Sequence, residues 1–463
     1  MLQAVRHLAL VWCCALLLLI LNLTYIQVWR SEDLSLNPLN PRLRMLEEKT
    51  WRGQILDRRG QVLARSYPFQ GGFRREYTLG PAGAHIVGYV SPRLGTAGLE
   101  AAYNRELLGL SGWPALVNQV RELQGSPRRG NNLVLSLDAS LQQLAFSALA
   151  GYRGAVVALN PQTGEVLALA SSPSFNPETV EEEWESLNDP RRESPLLNRA
   201  LQGLYPPGST MKLVTGAAAL RHNPGVRERH FYCPGYIEIE GRRLTCPQVH
   251  GNINFNEALM YSCNVAFAQL ALETGAGEWV KAAQDFGFTQ NLSFDLDLAV
   301  SRLPEVSQLN SNALAEAAIG QGEMLVTPFQ MALVAAAIAN NGLLMQPYMV
   351  DRVEGPEGGT VKVTRPQLLR VSTSPGIAQV LKQAMVEAVK AGTARSAAIP
   401  GVPVGGKTGS AQNPQGRTHS WFVGFAPADN PQVAVAVVVE NAGAGGAVAA
   451  PIAGRIMAKV LGR

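Results

Sequence analysis

Residues 206–212 read Pro206-Pro207-Gly208-Ser209-Thr210-Met211-Lys212, and the apolar run 213–220 follows directly. Pro and Gly immediately ahead of such a run mark a helix start. Ser209 and Lys212 then share one helix face, one turn apart. A serine at a helix N-terminus feels the positive end of the helix dipole, which favours an oxyanion there. A lysine one turn along can serve as its base if burial or a neighbouring cation depresses the amine pKa. An ordinary capped helix with a surface lysine has the same spacing, so the chemistry needs further residues.

Two more short motifs supply them. Ser262-Cys263-Asn264 is unspecific alone, because Ser-x-Asn also begins at Ser35, Ser174 and Ser186. Lys407-Thr408-Gly409-Ser410 lies in the glycine-rich stretch GVPVGGKTGSAQ. On an edge strand, alternation puts Lys407 and Gly409 on one face, and Gly409 would let a substrate backbone approach. A surface turn with an exposed lysine is the plain alternative, and a phosphate-binding loop is not expected here.

Working outward, 132–137 suggests a strand and Asp138 caps a helix, DASLQQLAFSALA. The runs GAVVALN and EVLALAS flank Pro161-Gln162-Thr163-Gly164 and form a hairpin. A long Ala-rich helix is expected over 313–341, central strands at 421–425 and 433–440, and a small-residue helix at 448–461. Strands near both ends with helices between them predict an α+β layer, one sheet built from both ends of this region. Further upstream, RGQILDRRGQVLA at 52–64 reads as a hairpin, with a helical stretch near 99–108. Residues 31–50, with Asn37-Pro38 and Asn40-Pro41, read as a linker.

Residues 8–28 carry no charge and match the roughly 20 residues of a membrane-spanning helix. The stretch exceeds the usual h-region of a cleaved signal and lacks a small-x-small site, so an uncleaved anchor is expected. The 463 residues suggest two or three domains, and the +4 net charge gives no sign of nucleic-acid binding. Of five cysteines, Cys13 and Cys14 fall in the apolar segment. Cys233 and Cys246 are expected to form a disulfide in an oxidising compartment, worth roughly 3 kcal/mol. Zinc-like spacing of His230, Cys233, Cys246 and His250 is the rival, and free thiols are a third possibility. No metal or other cofactor is expected.

S-x-x-K, S-x-N and K-T-G in this order are the set of penicillin-binding proteins and class A β-lactamases, with Cys263 here where that set has Asp. NRALQGLYPPGSTMKL (198–213), AIGQGEMLVTPFQMA (318–332), KTGSAQ with WFVGFAP (407–427), the 52–64 hairpin and GAVVALNPQTGEVLALASSPSFNP (154–177) resemble class B penicillin-binding proteins. The resemblance covers nearly the whole chain and is most specific over 154–440. It implies a transpeptidase / serine β-lactamase-like fold, a mostly antiparallel sheet sandwiched by helices. It further implies an anchor at 1–30, a non-catalytic pedestal-like or dimerisation module at 31–131 and a penicillin-binding transpeptidase domain at 132–463.

The implied activity is D,D-transpeptidation of peptidoglycan stem peptides through a Ser209 acyl-enzyme, inhibited by β-lactam antibiotics. Lys212 would be the base, and Ser262 with Lys407 the proton relay. Asn264 would hold substrate backbone and Lys212. Thr408 and Ser410 would bind the terminal carboxylate, and the Ser209 and Ser410 N–H groups would form the oxyanion hole. Residues before 132 are too few for a glycosyltransferase domain, so a polytopic membrane glycosyltransferase partner is expected. The chain would sit in the bacterial cytoplasmic membrane with its catalytic domain outside. A D,D-carboxypeptidase, a β-lactamase and a non-catalytic β-lactam sensor or scaffold are the alternatives.

Overall fold

The structure is a computed structural model that describes residues 2–30, 45–47, 49–69, 72–110, 112–413 and 416–463. Most of the linker expected at 31–50 lies outside the described residues. Helix α1, Leu2–Val28, is long and apolar enough to cross a membrane and is not buried against any other of the described residues. Its 27 residues span about 40 Å, more than a hydrocarbon core of about 30 Å.

The central domain runs α2 (Ala139–Ala148), β1 (Gly154–Leu159), β2 (Val166–Ser172), α3 (Lys212–His222) and α4 (Asn264–Thr274). It continues with α5 (Pro328–Ala339), α6 (Pro375–Lys390), β3 (Gly405–Ala411), β4 (His419–Ala426), β5 (Val433–Val439) and α7 (Ala449–Val460). The five strands form one antiparallel sheet in the order β2-β1-β5-β4-β3. The sheet is therefore assembled from both ends of the domain, as the strand pattern predicts.

β1 and β5 read as unbroken apolar runs because both sheet faces are covered. Val156, Ala158, Val435 and Val437 pack with Leu141 of α2 and Ile456 of α7. Their neighbours Ala155, Val157, Ala436 and Val438 pack into the larger core that holds α3, α4 and α5. Alternation survives, but each side meets an apolar partner.

The Ala-rich stretch is two helices, Ser311–Ala318 and α5, instead of one. Gly320 and Gly322 between them both have positive φ, and Thr327 caps α5 with its hydroxyl on Gln330 N at 3.0 Å. The break places Gly320 against the backbone of Gly208, a tertiary contact that helical periodicity does not register.

A second, six-stranded sheet ties the upstream module to this domain. Ile55–Leu56 pairs parallel with Asn132–Leu135 and antiparallel with Val62–Phe69, so the 52–64 hairpin forms as expected. Asp57, buried in the hairpin turn, accepts from Arg59 N and Gln61 N at 2.8 Å and from Ala139 N at 3.1 Å. One carboxylate thus closes the hairpin and helps cap α2. Nearby, buried Glu100 joins Arg52 and Arg75 at 2.5 and 2.7 Å. Arg52 also donates to Asn104 Oδ1 at 2.5 Å.

Candidate active site

Ser209 lies in a 3-10 turn, Gly208–Met211, that runs directly into α3. Several contacts hold this turn, one of them internal. Trp421 Nε1 donates to Pro206 O at 3.0 Å, Thr210 Oγ1 to Pro207 O at 2.8 Å, and Gly208 N to Gly320 O at 2.9 Å. Ser209 itself is half-buried, and its hydroxyl has no hydrogen-bond partner among the described residues. Lys212, the first residue of α3, is fully buried.

The Ser262-Cys263-Asn264 turn faces it. A short helix, Phe255–Met260, ends just before this turn, and α4 begins at Asn264 with Cys263 as its cap. Ser262 adopts φ +62, a left-handed conformation uncommon outside glycine. That strain turns both Ser262 groups towards the lysines. Lys212 Nζ donates to Ser262 O at 2.6 Å and to Asn264 Oδ1 at 2.6 Å, and meets Ser262 Oγ at 3.2 Å. Asn264 Nδ2 donates to Thr245 O at 2.9 Å, fixing the amide so that its oxygen faces the lysine.

Lys407 arrives from β3. Its Nζ donates to Ser262 Oγ at 2.9 Å and to Thr408 O at 2.8 Å. The two amines therefore converge on one hydroxyl. Burial pushes Lys212 down to about 8, against a smaller upward pull from the sulfurs of Cys246 and Cys263. Lys407 is held well below the ordinary lysine range, first by burial and then by the charge of Lys212. A neutral Lys212 has two N–H donors and one lone pair. The donors match Ser262 O and Asn264 Oδ1, leaving the lone pair free to take a proton, with Ser262 Oγ 3.2 Å away to receive one in turn. Such a chain can carry a proton between its ends.

β3 is an edge strand whose one neighbour among the described residues is β4. Its free edge can accept an extended peptide as an added strand. Thr408 Oγ1 donates to Thr393 Oγ1 at 2.8 Å, and Ser410 Oγ accepts from Gly445 N at 3.3 Å. The three motifs thus meet at one place. Gly409 has a different reason to be glycine from the one expected. A Cβ there would lie 2.9 Å from Pro207 O and 3.1 Å from Trp421 Cβ, so its bareness admits the nucleophile turn. Residues 401–408 also match the G-x4-G-K-T spacing of a phosphate loop. That reading fails because Lys407 is buried in mid-strand and β4 follows where a helix would be needed.

Sequence reasoning missed Thr393, Trp421 and Gly320, which act at this site through tertiary contact. It also misjudged the cysteines. Cys233 and Cys246 are not joined, and all five cysteines are free thiols. His230 is exposed and stands apart, whereas Cys233, Cys246, His250 and Cys263 converge with their ligand atoms all within 4.8 Å of one another.

A half-buried serine one turn before a buried lysine, with a second lysine joined to the first through the Ser262 hydroxyl, is the arrangement of a serine acyl-transfer enzyme. Comparison with known proteins gives the family. Residues 154–458 match the penicillin binding protein transpeptidase domain, and residues 52–133 the penicillin binding protein A dimerisation domain. The chain is 35% identical over 490 residues to the peptidoglycan D,D-transpeptidase PbpA of Mycolicibacterium smegmatis, covering 99% of each. It is 33% identical over 432 residues to the peptidoglycan D,D-transpeptidase MrdA of Acinetobacter baumannii, covering 81% of this chain and 64% of that one. The solved ceftriaxone acyl-enzyme complex of penicillin-binding protein A from M. tuberculosis has a TM-score of 0.84 and 35% identity. That match covers 89% of this chain and 99% of the other. The chain belongs to the penicillin-binding protein transpeptidase family.

Proposed function

We propose that this chain is a peptidoglycan D,D-transpeptidase that cross-links stem peptides and is trapped by β-lactams as an acyl-enzyme. One observation carries the assignment of roles: the Ser262 hydroxyl bridges Lys407 Nζ at 2.9 Å and Lys212 Nζ at 3.2 Å. Ser209 Oγ attacks the carbonyl between two terminal D-alanines while Lys212 takes its proton. Ser262, with Lys407 beside it, relays that proton to the leaving D-alanine nitrogen. An acceptor amine then attacks the acyl-enzyme, and the relay runs backwards. Asn264 holds Lys212 and the substrate backbone. Thr408 and Ser410 hydroxyls bind the terminal carboxylate, and Gly409 keeps β3 seated on the nucleophile turn so that its edge meets the peptide. The N–H groups of Ser209 and Ser410 form the oxyanion hole, where losing one donor costs roughly 3–4 kcal/mol.

The layout comprises an anchor at 1–30, a non-catalytic module at 31–131 and a transpeptidase domain at 132–463, with the six-stranded sheet spanning the last boundary. α1 crosses the cytoplasmic membrane once and leaves the catalytic domain outside. Glycan polymerisation falls to a separate membrane glycosyltransferase, contacted through α1 and the exposed hairpin tip at 58–61. Exchanging residues 1–64 should abolish co-purification with it, and unchanged co-purification would refute the contact.

The reaction itself is tested with full-length protein in detergent, a D-alanyl thioester donor and a D-amino acid acceptor. Amide product should grow with acceptor concentration at the expense of hydrolysis, and Ser209→Ala should form none. Hydrolysis unaffected by acceptor would make the chain a carboxypeptidase.

A further inference from the structure

Acyl transfer leaves unused a cavity of about 660 Å3 where the upstream module meets the transpeptidase domain. Strand Gly72–Tyr77, an edge of the six-stranded sheet, forms one wall. The small hairpin Val90–Ser91 with Gly95–Thr96 and the 177–182 loop supply others. No residue of the Ser209 site lines it. The volume is that of a small-molecule site, which runs from about 300 to 1,000 Å3.

Its inner part carries unbalanced positive charge. The Arg52 and Arg75 side chains, 5% and 6% exposed, both pair with the enclosed Glu100, so two guanidiniums share one carboxylate. Arg52 has its fork filled by Glu100 Oε2, Glu100 O and Asn104 Oδ1, each at 2.5 Å. Arg75 does not. Its Nε donates to Glu100 Oε1 at 2.7 Å and its Nη1 to Ser66 Oγ at 3.2 Å, but Nη2 is buried with no hydrogen-bond partner among the described residues. The buried Tyr77 hydroxyl donates to none of them either. Alternation along the strand puts Arg75 and Tyr77 on one face, and both line the cavity. Buried donors left unpaired are costly, charged ones most of all, and one carboxylate has an oxygen for each. The outer part has the opposite sign. There Glu47, Glu178, Glu181 and Glu182 outnumber Arg74 and Arg93. Arg93 is already paired with Glu181 at 3.4 Å, and Glu178 Oε1 accepts from Tyr77 N at 3.0 Å. Such a mouth repels polyanions and favours a ligand that carries a cation outward from its carboxylate.

We propose that this cavity is a second ligand site that takes a zwitterion of dipeptide size. The carboxylate rests on Arg75 Nη2 and the Tyr77 hydroxyl, and the ammonium lies towards the exposed Glu178 and Glu182. An occupant touches both the Gly72–Tyr77 strand and the 177–182 loop, so it braces the upstream module against the transpeptidase domain. The claim concerns binding at this cavity and stands apart from the acyl-transfer reading.

The test is equilibrium dialysis of full-length protein in detergent against radiolabelled glycylglycine, L-alanyl-L-alanine and D-alanyl-D-alanine. At least one should bind saturably, at about one per chain in this cavity. Its C-terminal amide and its N-acetyl derivative should each compete at least about 10-fold less well, and inorganic phosphate should not compete. Tyr77→Phe and Arg75→Lys should each weaken binding about 10–100-fold, the range for one charge-assisted hydrogen bond. Both should label with fluorescent penicillin within about twofold of the parent, since neither residue belongs to the Ser209 site. Tyr77→Phe leaves both ion pairs of Glu100 in place, so it keeps the test decisive even if Arg75→Lys fails to fold. Absence of saturable binding by all three dipeptides would overturn the proposal. So would binding that survives Tyr77→Phe undiminished, or binding that amidation of the carboxylate leaves unchanged.

Discussion

Replacing Gly320 with alanine tests how the nucleophile turn is held. Gly320 has φ +76, and a Cβ there would lie 1.9 Å from Gly208 O. Gly208 immediately precedes Ser209, has φ +55 itself, and donates to Gly320 O at 2.9 Å. Left-handed alanine costs about 1–2 kcal/mol. Separating Cβ and oxygen to 3.0 Å also requires the two backbones to part by about 1 Å. A displacement of about 1 Å at a reacting group costs roughly 100-fold in rate. Gly320→Ala should therefore label with fluorescent penicillin about 100-fold more slowly than the parent, measured as a time course on full-length protein in detergent. Gly322→Ala is the control. It has a similar φ of +80, but its Cβ would meet only Glu316 atoms at 3.7 and 3.9 Å. It should lose stability through the left-handed strain alone, less than Gly320→Ala does, and label within about twofold of the parent. Equal labelling rates for the two variants would refute the reasoning, because conformational strain alone is common to both.

Ser262→Gly and Ser262→Ala both remove the bridging hydroxyl, so both should acylate about 10²–10⁴-fold more slowly. The Gly variant should melt higher than the Ala variant, since only Ala stays strained at φ +62. Acylation should rise with pH through about 8, because Lys212 acts as a free amine and burial lowers its pKa to about 8. A flat or falling rate between pH 6 and 9 would contradict that role. Glu100→Ala leaves Arg52 and Arg75 buried without their shared carboxylate and should cost about 3–5 kcal/mol, read by thermal or denaturant unfolding. Burial raises the Glu100 pKa, but Arg75 and Arg52 together outweigh it and hold the group below its ordinary 4.5. Its contribution is therefore present above pH 4.5 and lost as pH falls through the depressed value, and the parent should lose more stability there than the Ala variant.

Local pattern revealed much of the fold. The β1–β2 hairpin, the Asp138 cap and the C-terminal strands follow from alternation and turn chemistry. The motif order and its flanks singled out Ser209, Lys212, Ser262, Asn264 and Lys407, and the fold brings the last four into hydrogen-bond contact. What escaped depends on contacts distant in sequence. Helical periodicity runs through 313–341, yet Gly320 breaks the helix to seat against Gly208, more than 100 residues earlier. Gly409 was read as room for a ligand, but Pro207 fills that space. His230 and His250 have equally suitable spacing from the cysteines. Strand pairing turns one inward and leaves the other exposed, and the fold brings Cys263, from the middle of a catalytic motif, into the same cluster.

The most direct test of the central claim is mass spectrometric mapping of a fluorescent penicillin adduct on full-length protein, beside Ser209→Ala. Slowly decaying label on Ser209, absent from the variant, is the predicted result. Folded protein that takes no label, or takes it elsewhere, would contradict it.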